Sequence, residues 1–115
     1  MRRGEIYLVN FEPARPGEAN KQRPAVIVSN DGANTAAERN GRGVITVVPV
    51  TSMVERSYPF QVLIPINSAG LDRESKAQAE QVRSISVERI GPVIGELPHP
   101  LMEKLDEALR LHLAL

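Results

Sequence analysis

Gln22-Arg23-Pro24-Ala25-Val26-Ile27-Val28-Ser29-Asn30 sets an arginine at the mouth of an aliphatic, β-branched run, and Val47-Val48-Pro49-Val50-Thr51-Ser52 ends a similar run in two hydroxyls. β-Branched side chains suit a pleated, half-buried backbone, so both stretches read as strands. Proline fits the first residue of a strand, where no ladder N–H is needed, and Pro24 is therefore read as a strand start. Arginine offers a planar fork of donors that matches a phosphate, and a hydroxyl beside it can steer the same group. Arg23 and Thr51, with Ser52, point to a phosphodiester site on a small β-barrel.

The flanking sequence supplies the rest of that barrel. Residues 6–11 predict a first strand, apolar on both faces. Residues 12–21 form a loop by their Pro, Gly and Asn content. A second strand is predicted over 25–29, a third over 44–50 and a fourth over 60–64. Shorter strands follow over 75–81 and 91–97, with a turn around Val87-Glu88-Arg89. Residues 30–42 are polar and Ala-rich, and predict a loop with a short helical turn over 35–39 before Gly41 and Gly43. Pro98 and Pro100 precede Leu101, Leu105, Leu109 and Leu113, a spacing of i, i+4 that predicts an amphipathic helix with prolines at its start. About six short strands closing on themselves before one C-terminal helix give a mostly β chain, a half-open β-barrel.

A chain of 115 residues supports one domain with a single core, here spanning 1–115. Tyr7, Phe11, Tyr58 and Phe60 are its only aromatics, so the core must be aliphatic. The absence of cysteine excludes disulfides and thiolate metal sites. His99 and His112, the only histidines, cannot build a metal cluster by themselves, and no metal or cofactor is expected. Fourteen basic residues balance fourteen acidic ones, so nucleic-acid binding would need a local basic groove instead of a global field. No apolar run approaches the length of a membrane span, and Met1-Arg2-Arg3-Gly4 leads into a strand, not a signal-peptide core. A cytoplasmic protein with no membrane partner is expected.

Several segments, in order, resemble the MazF family of bacterial toxins. They are Arg3-Gly4-Glu5-Ile6-Tyr7, Gly17-Glu18 leading to Gln22-Arg23-Pro24, Pro49-Val50-Thr51-Ser52, Tyr58-Pro59-Phe60, Ala79-Glu80-Gln81-Val82-Arg83-Ser84-Ile85 and Leu105-Asp106-Glu107-Ala108-Leu109. The resemblance implies an SH3-like half-open barrel that forms a homodimer. It implies sequence-specific, metal-independent cleavage of single-stranded RNA by 2′-hydroxyl attack, leaving a 2′,3′-cyclic phosphate and a 5′-hydroxyl. It also implies neutralisation by a cognate MazE-like antitoxin whose disordered tail lies across the RNA groove.

The same resemblance assigns roles. Arg23 matches the family's catalytic arginine; a guanidinium does not give up its proton in a protein, so stabilising phosphoryl charge is its safer role. Thr51 matches the catalytic threonine, and its hydroxyl is too weak a base to do more than position. Glu18 matches a glutamate that some relatives need, and is the candidate general base. Asn20, Lys21 and Gln22 share its loop as RNA contacts. Ser52, Gln78, Glu80 and Gln81 join them, since amide and carboxylate groups read the edges of unstacked bases. For Glu80 the competing role is an ion pair with Arg83 or Lys76; for Thr51 and Ser52 it is a turn satisfying itself. Tyr58-Pro59-Phe60 reads as a core and turn feature. Lack of tryptophan after Ile6 and the character of residues 31–42 depart from some relatives, which bears on the RNA word and not on the chemistry.

Two other functions fit a barrel of this kind. A CcdB-like toxin poisons gyrase without cutting RNA and needs no Arg/Thr pair, which Arg23 and Thr51 argue against. A noncatalytic SH3-like module needs an aromatic groove for proline-rich ligands, for which four rings are too few.

Overall fold

The computed structural model describes residues 1–11 and 22–115. Its strands are β1 (Glu5–Asn10), β2 (Gln22–Ile27), β3 (Val44–Thr51), β4 (Gln61–Ile64), β5 (Ser75–Gln78), β6 (Arg83–Ser86) and β7 (Ile90–Glu96). Helix α1 (Asp31–Asn40) lies between β2 and β3, and α2 (His99–Leu113) closes the chain. Every pairing is antiparallel, in the order β4-β5-β3-β2-β1-β7, with β6 also on β3. The expected SH3-like, mostly β fold is what forms.

Strand β3 explains how so few residues curl into a barrel. One edge pairs with β2. The other pairs first with β6, through Val44↔Ser86 to Val47↔Arg83, and then with β5, through Val50↔Ala77 and Thr51↔Lys76. Pro49 falls in the handover between those two partners. A missing N–H costs least there, which reconciles proline with a buried strand.

Both faces of the sheet are covered. Ala25 and Ile27 of β2 join Ile45 and Val47 of β3 in a cluster with Val9, Ala37 and Ile85. Val26, Val48 and Val50 point the other way, into a cluster with Ile6, Ile64, Leu105 and Leu109. Alternate residues thus feed two apolar clusters, and the strand sequences read as continuous hydrophobic runs. Each fully buried Val or Ile contributes roughly 1.5–3 kcal/mol. Helix α2 supplies Leu105, Ala108 and Leu109, while Leu101 only packs partly and Leu113 is exposed. The Arg3 guanidinium pairs with Asp106 at 2.6 Å and donates to the Val28 carbonyl at 2.8 Å, tying the chain's start to α2.

Three local expectations need correction. Residues 31–40 are not a loop with one turn but a full helix. Asn30 caps it by accepting from the Ala33 N–H at 2.8 Å, and Gly41 ends it at φ +66°, a left-handed geometry that suits glycine. Strand β6, Arg-Ser-Ile-Ser, was not expected; the 3₁₀ turn Ala79–Gln81 cuts it from β5. Pro24 lies inside β2, not at its start, opposite Leu8 of β1.

Candidate active site

That position of Pro24 opens the site. Pairing of β2 with β3 runs Ile27↔Val47, Val26↔Val48, Ala25↔Pro49, and stops. Each of the next residues along the two strands, Pro24 and Val50, lies past the last pair. Pro24, whose backbone nitrogen would meet the Val50 carbonyl on the next rung, has no N–H to donate, so the strands part there. Gln22, Arg23 and Pro24 keep only β1 as a neighbour, while Val50 and Thr51 turn to β5. Between the parted ends lies a cleft of about 250 Å³ lined by Arg23, Pro24, Thr51, Ser52, Asp72 and Arg73, among others. Arg23 and Thr51 therefore face one shared space.

Arg23 is exposed but held. Its Nη2 donates to Gln78 Oε1 at 3.0 Å and reaches the Val50 carbonyl at 3.5 Å. Its guanidinium carbon lies 6.0 Å from the centroid of the Phe11 ring, and that of Arg83 lies 5.4 Å from the same centroid. A cation over an aromatic face gains roughly 0.5–1 kcal/mol at an exposed site. The remaining guanidinium donors stay available for an anion.

Thr51 Oγ1 accepts from the Met53 N–H at 3.2 Å, closing a turn just past β3. The turn leaves the hydroxyl able to act in the cleft: its acceptor side is occupied, and its proton is free to be donated. Ser52, exposed beside it, lines the same cleft.

The other expected contacts divide. Gln78 belongs to the arginine, as its acceptor. Glu80 is bound neither to Arg83 nor to Lys76; its Oε2 accepts from Gln61 Nε2 at 2.6 Å, and its buried Oε1 has no partner. Lys76 is buried and donates to the Arg56 carbonyl. Gln78 and Gln61 are register partners across β5 and β4, so a row of polar side chains runs from Arg23 through Gln78 and Gln61 to Glu80. Gln22 and Gln81 are exposed and are not among the cleft-lining side chains. Glu18, Asn20 and Lys21 lie outside the described residues. Tyr58 and Phe60 stack at 5.3 Å with Tyr58 exposed, so this pair is a turn feature and not core.

Asp72 and Arg73 were not singled out from the sequence. They sit in a stretch with no strand or helix pattern, and only the pairing of β5 with β3 carries them to Thr51. Two larger grooves, of about 430 and 440 Å³, flank α2. Neither sets an arginine against two adjacent hydroxyls: the first contains no arginine, and the second contains Arg3, which Asp106 already holds, and Arg110, with Thr46 as its one hydroxyl residue. Among the described residues no three His, Asp or Glu side chains converge as metal ligands.

Comparison with known proteins finds relatives over nearly the whole chain. Residues 2–113 match the family described as PemK-like, MazF-like toxins of type II toxin–antitoxin systems. The chain is 59% identical to Endoribonuclease MazF9 of Mycobacterium tuberculosis over its whole length and 98% of that protein. It is 29% identical to Endoribonuclease EndoA of Bacillus subtilis over its whole length and 96% of that one. Among solved structures, MazF of Deinococcus radiodurans superposes with a TM-score of 0.72 at 25% identity, covering all of this chain and 97% of that one. A MazE–MazF complex from the same organism superposes at 0.70, with the same identity and coverage.

Proposed function

The chain belongs to the PemK-like, MazF-like toxins of type II toxin–antitoxin systems, and from that premise we propose that it is an endoribonuclease that cleaves single-stranded RNA at its Arg23–Thr51 cleft without a metal ion. The observation that carries this reading is the cleft itself, which gathers a guanidinium and two hydroxyls on one wall-to-wall space. Kinship with Endoribonuclease MazF9 supports the activity.

RNA brings its own nucleophile. The ribose 2′-oxygen attacks the adjacent phosphorus, forming P–O2′ while P–O5′ breaks, and leaves a 2′,3′-cyclic phosphate and a 5′-hydroxyl. Because nucleophile and electrophile are tethered, the protein's work is orientation, charge and two protons. Arg23 stabilises charge on the non-bridging oxygens, with Gln78 and Phe11 fixing where its donors point. Thr51 donates its hydroxyl proton to the phosphate, and Ser52 assists. Glu18 is the candidate for taking the 2′-proton, worth about 10²–10⁴-fold as a general base, and the departing 5′-oxygen takes its proton from solvent water. Asn20, Lys21, Gln22, Glu80 and Gln81 contact the flanking nucleotides and choose the RNA word.

The partners follow the family. A cognate MazE-like antitoxin neutralises the enzyme, a reading supported by the MazE–MazF complex that shares this fold. The protein works as a homodimer; Leu113 and Leu115 line a groove with Val28, Val82 and Leu109, an apolar face of the kind a second copy covers. Among the described residues no helix is long and apolar enough to cross a membrane. A cytoplasmic location goes with the proposed RNA substrate.

The test is cleavage of a long unstructured transcript in EDTA, with end-group analysis. Cutting at defined sites with cyclic phosphate ends is expected, and a single 2′-deoxy substitution at a cut site should silence that site alone. A divalent-metal requirement, or cutting that survives the deoxy substitution, would refute the mechanism. RNA left intact, with gyrase inhibited instead, would favour the CcdB-like alternative.

A further inference from the structure

The cleft has a second arginine that nothing in the mechanism above uses. Arg73 lines it together with Arg23, Thr51 and Ser52. It is exposed, and among the described residues no carboxylate pairs with it, although Asp72 and Glu74 are its chain neighbours. An unpaired surface arginine is ordinarily mobile and spends entropy on any ligand it holds. The backbone under Arg73 is anything but loose.

Four features pin that segment. Ala69 and Leu71 are buried on either side of Gly70. Gly70 has φ +83°, and a Cβ there would lie 2.2 Å from the Ile94 carbonyl oxygen; a Cβ on Gly95 would lie 1.8 Å from the Ala69 carbonyl oxygen. The two glycines thus let the segment lie directly on β7, closer than any side chain would permit. The Asn67 N–H donates to the Leu71 carbonyl at 2.9 Å, and Ser75 Oγ donates to the carbonyl of Arg73 itself at 3.0 Å. A cation presented from a fixed backbone into a cleft costs less ordering when it binds an anion.

Register locates it relative to the chemistry. Thr51 pairs with Lys76, and Arg73 lies in a bend three residues before Lys76, a separation of at most about 10 Å. That carries Arg73 past the end of β3, beyond Thr51 and not onto it. Resting on the reading of this cleft as an RNA site, we propose that Arg73 is a second phosphate-binding residue, gripping the RNA backbone at a phosphate next to the one cleaved. Arg23 then serves the reaction and Arg73 the hold on the strand.

Backbone contacts carry no sequence information and release counterions. The variants are Arg73→Gln and Arg73→Lys, compared with wild type in binding and cleavage of a mapped target oligoribonucleotide, binding being measured on the form with a 2′-deoxy group at the cut. For Arg73→Gln, affinity should fall about tenfold at low salt. The slope of log K against log salt should become shallower by about 0.7. KM should rise with kcat within about twofold, and the loss should be the same when flanking bases are changed. Arg73→Lys should keep the wild-type salt slope. Unchanged affinity and slope in Arg73→Gln, or a loss confined to kcat, would overturn the assignment. Wild-type protein that neither binds nor cuts RNA would remove the cleft's role and Arg73's with it, which is a different failure from a variant that behaves like wild type.

Discussion

The two ends of the β2–β3 pairing are built from the same kind of sequence and do opposite things. At the paired end, Ala25, Val26 and Ile27 meet Val47, Val48 and Pro49, and all six are buried. At the parted end, Arg23 and Pro24 face Val50, Thr51 and Ser52 across open space. The difference lies in one proline, Pro24, that brings the ladder to a stop. Where hydrogen bonds continue, aliphatic side chains make a core; where they cease, the strands part and the side chains at their tips become available to a ligand. A core and the proposed catalytic cleft thus sit a few residues apart on shared strands, and the rigidity of one positions the other.

Substitutions at the two ends should separate stability from activity. The largest effect is expected at Arg23→Ala, which should slow single-turnover RNA cleavage by at least about 10²–10³, roughly 2.7–4 kcal/mol of transition-state stabilisation, with no fall in melting temperature. A variant that unfolds early would mean that the parted end is part of the core after all. Ile27→Ala, at the paired end, should show the mirror image. Urea unfolding should report a loss of about 2–5 kcal/mol, while the cleavage rate per folded molecule stays near wild type. Gln78→Ala should give the smallest change. Removing the acceptor that aims Arg23 should lower kcat about tenfold or less and leave KM and stability nearly unaltered; a rise in KM alone would instead make Gln78 an RNA contact.

How much of this was readable beforehand follows from where the physics is local. The strands around Val26 and Val48 are legible because burial on both faces forces continuous apolar runs. Helix α2 is legible because Leu101, Leu105 and Leu109 repeat at its period. Helix α1 was underestimated since only Ala37 and Asn34 are buried along it, leaving no apolar stripe. The better signals were its ends, Asn30 and Gly41. Strand β6 has a single buried residue, Ile85, and exists because β3 offers it an edge, which is tertiary information. Arg23 and Thr51 could be named from their neighbours in sequence, but the reason that they meet could not. It depends on Ala25↔Pro49 being the last rung. Arg73 was invisible for a similar reason: its backbone is fixed by Gly95, on a strand far along the chain.

A double-mutant cycle in single-turnover cleavage asks whether the guanidinium of residue 23 and the hydroxyl of residue 51 serve one phosphate. If they do, Thr51→Ala on top of Arg23→Ala should cost far less than Thr51→Ala alone, because the group it would have helped is already unheld. Losses that simply multiply would mean two independent sites, and would contradict the shared cleft as the seat of the reaction.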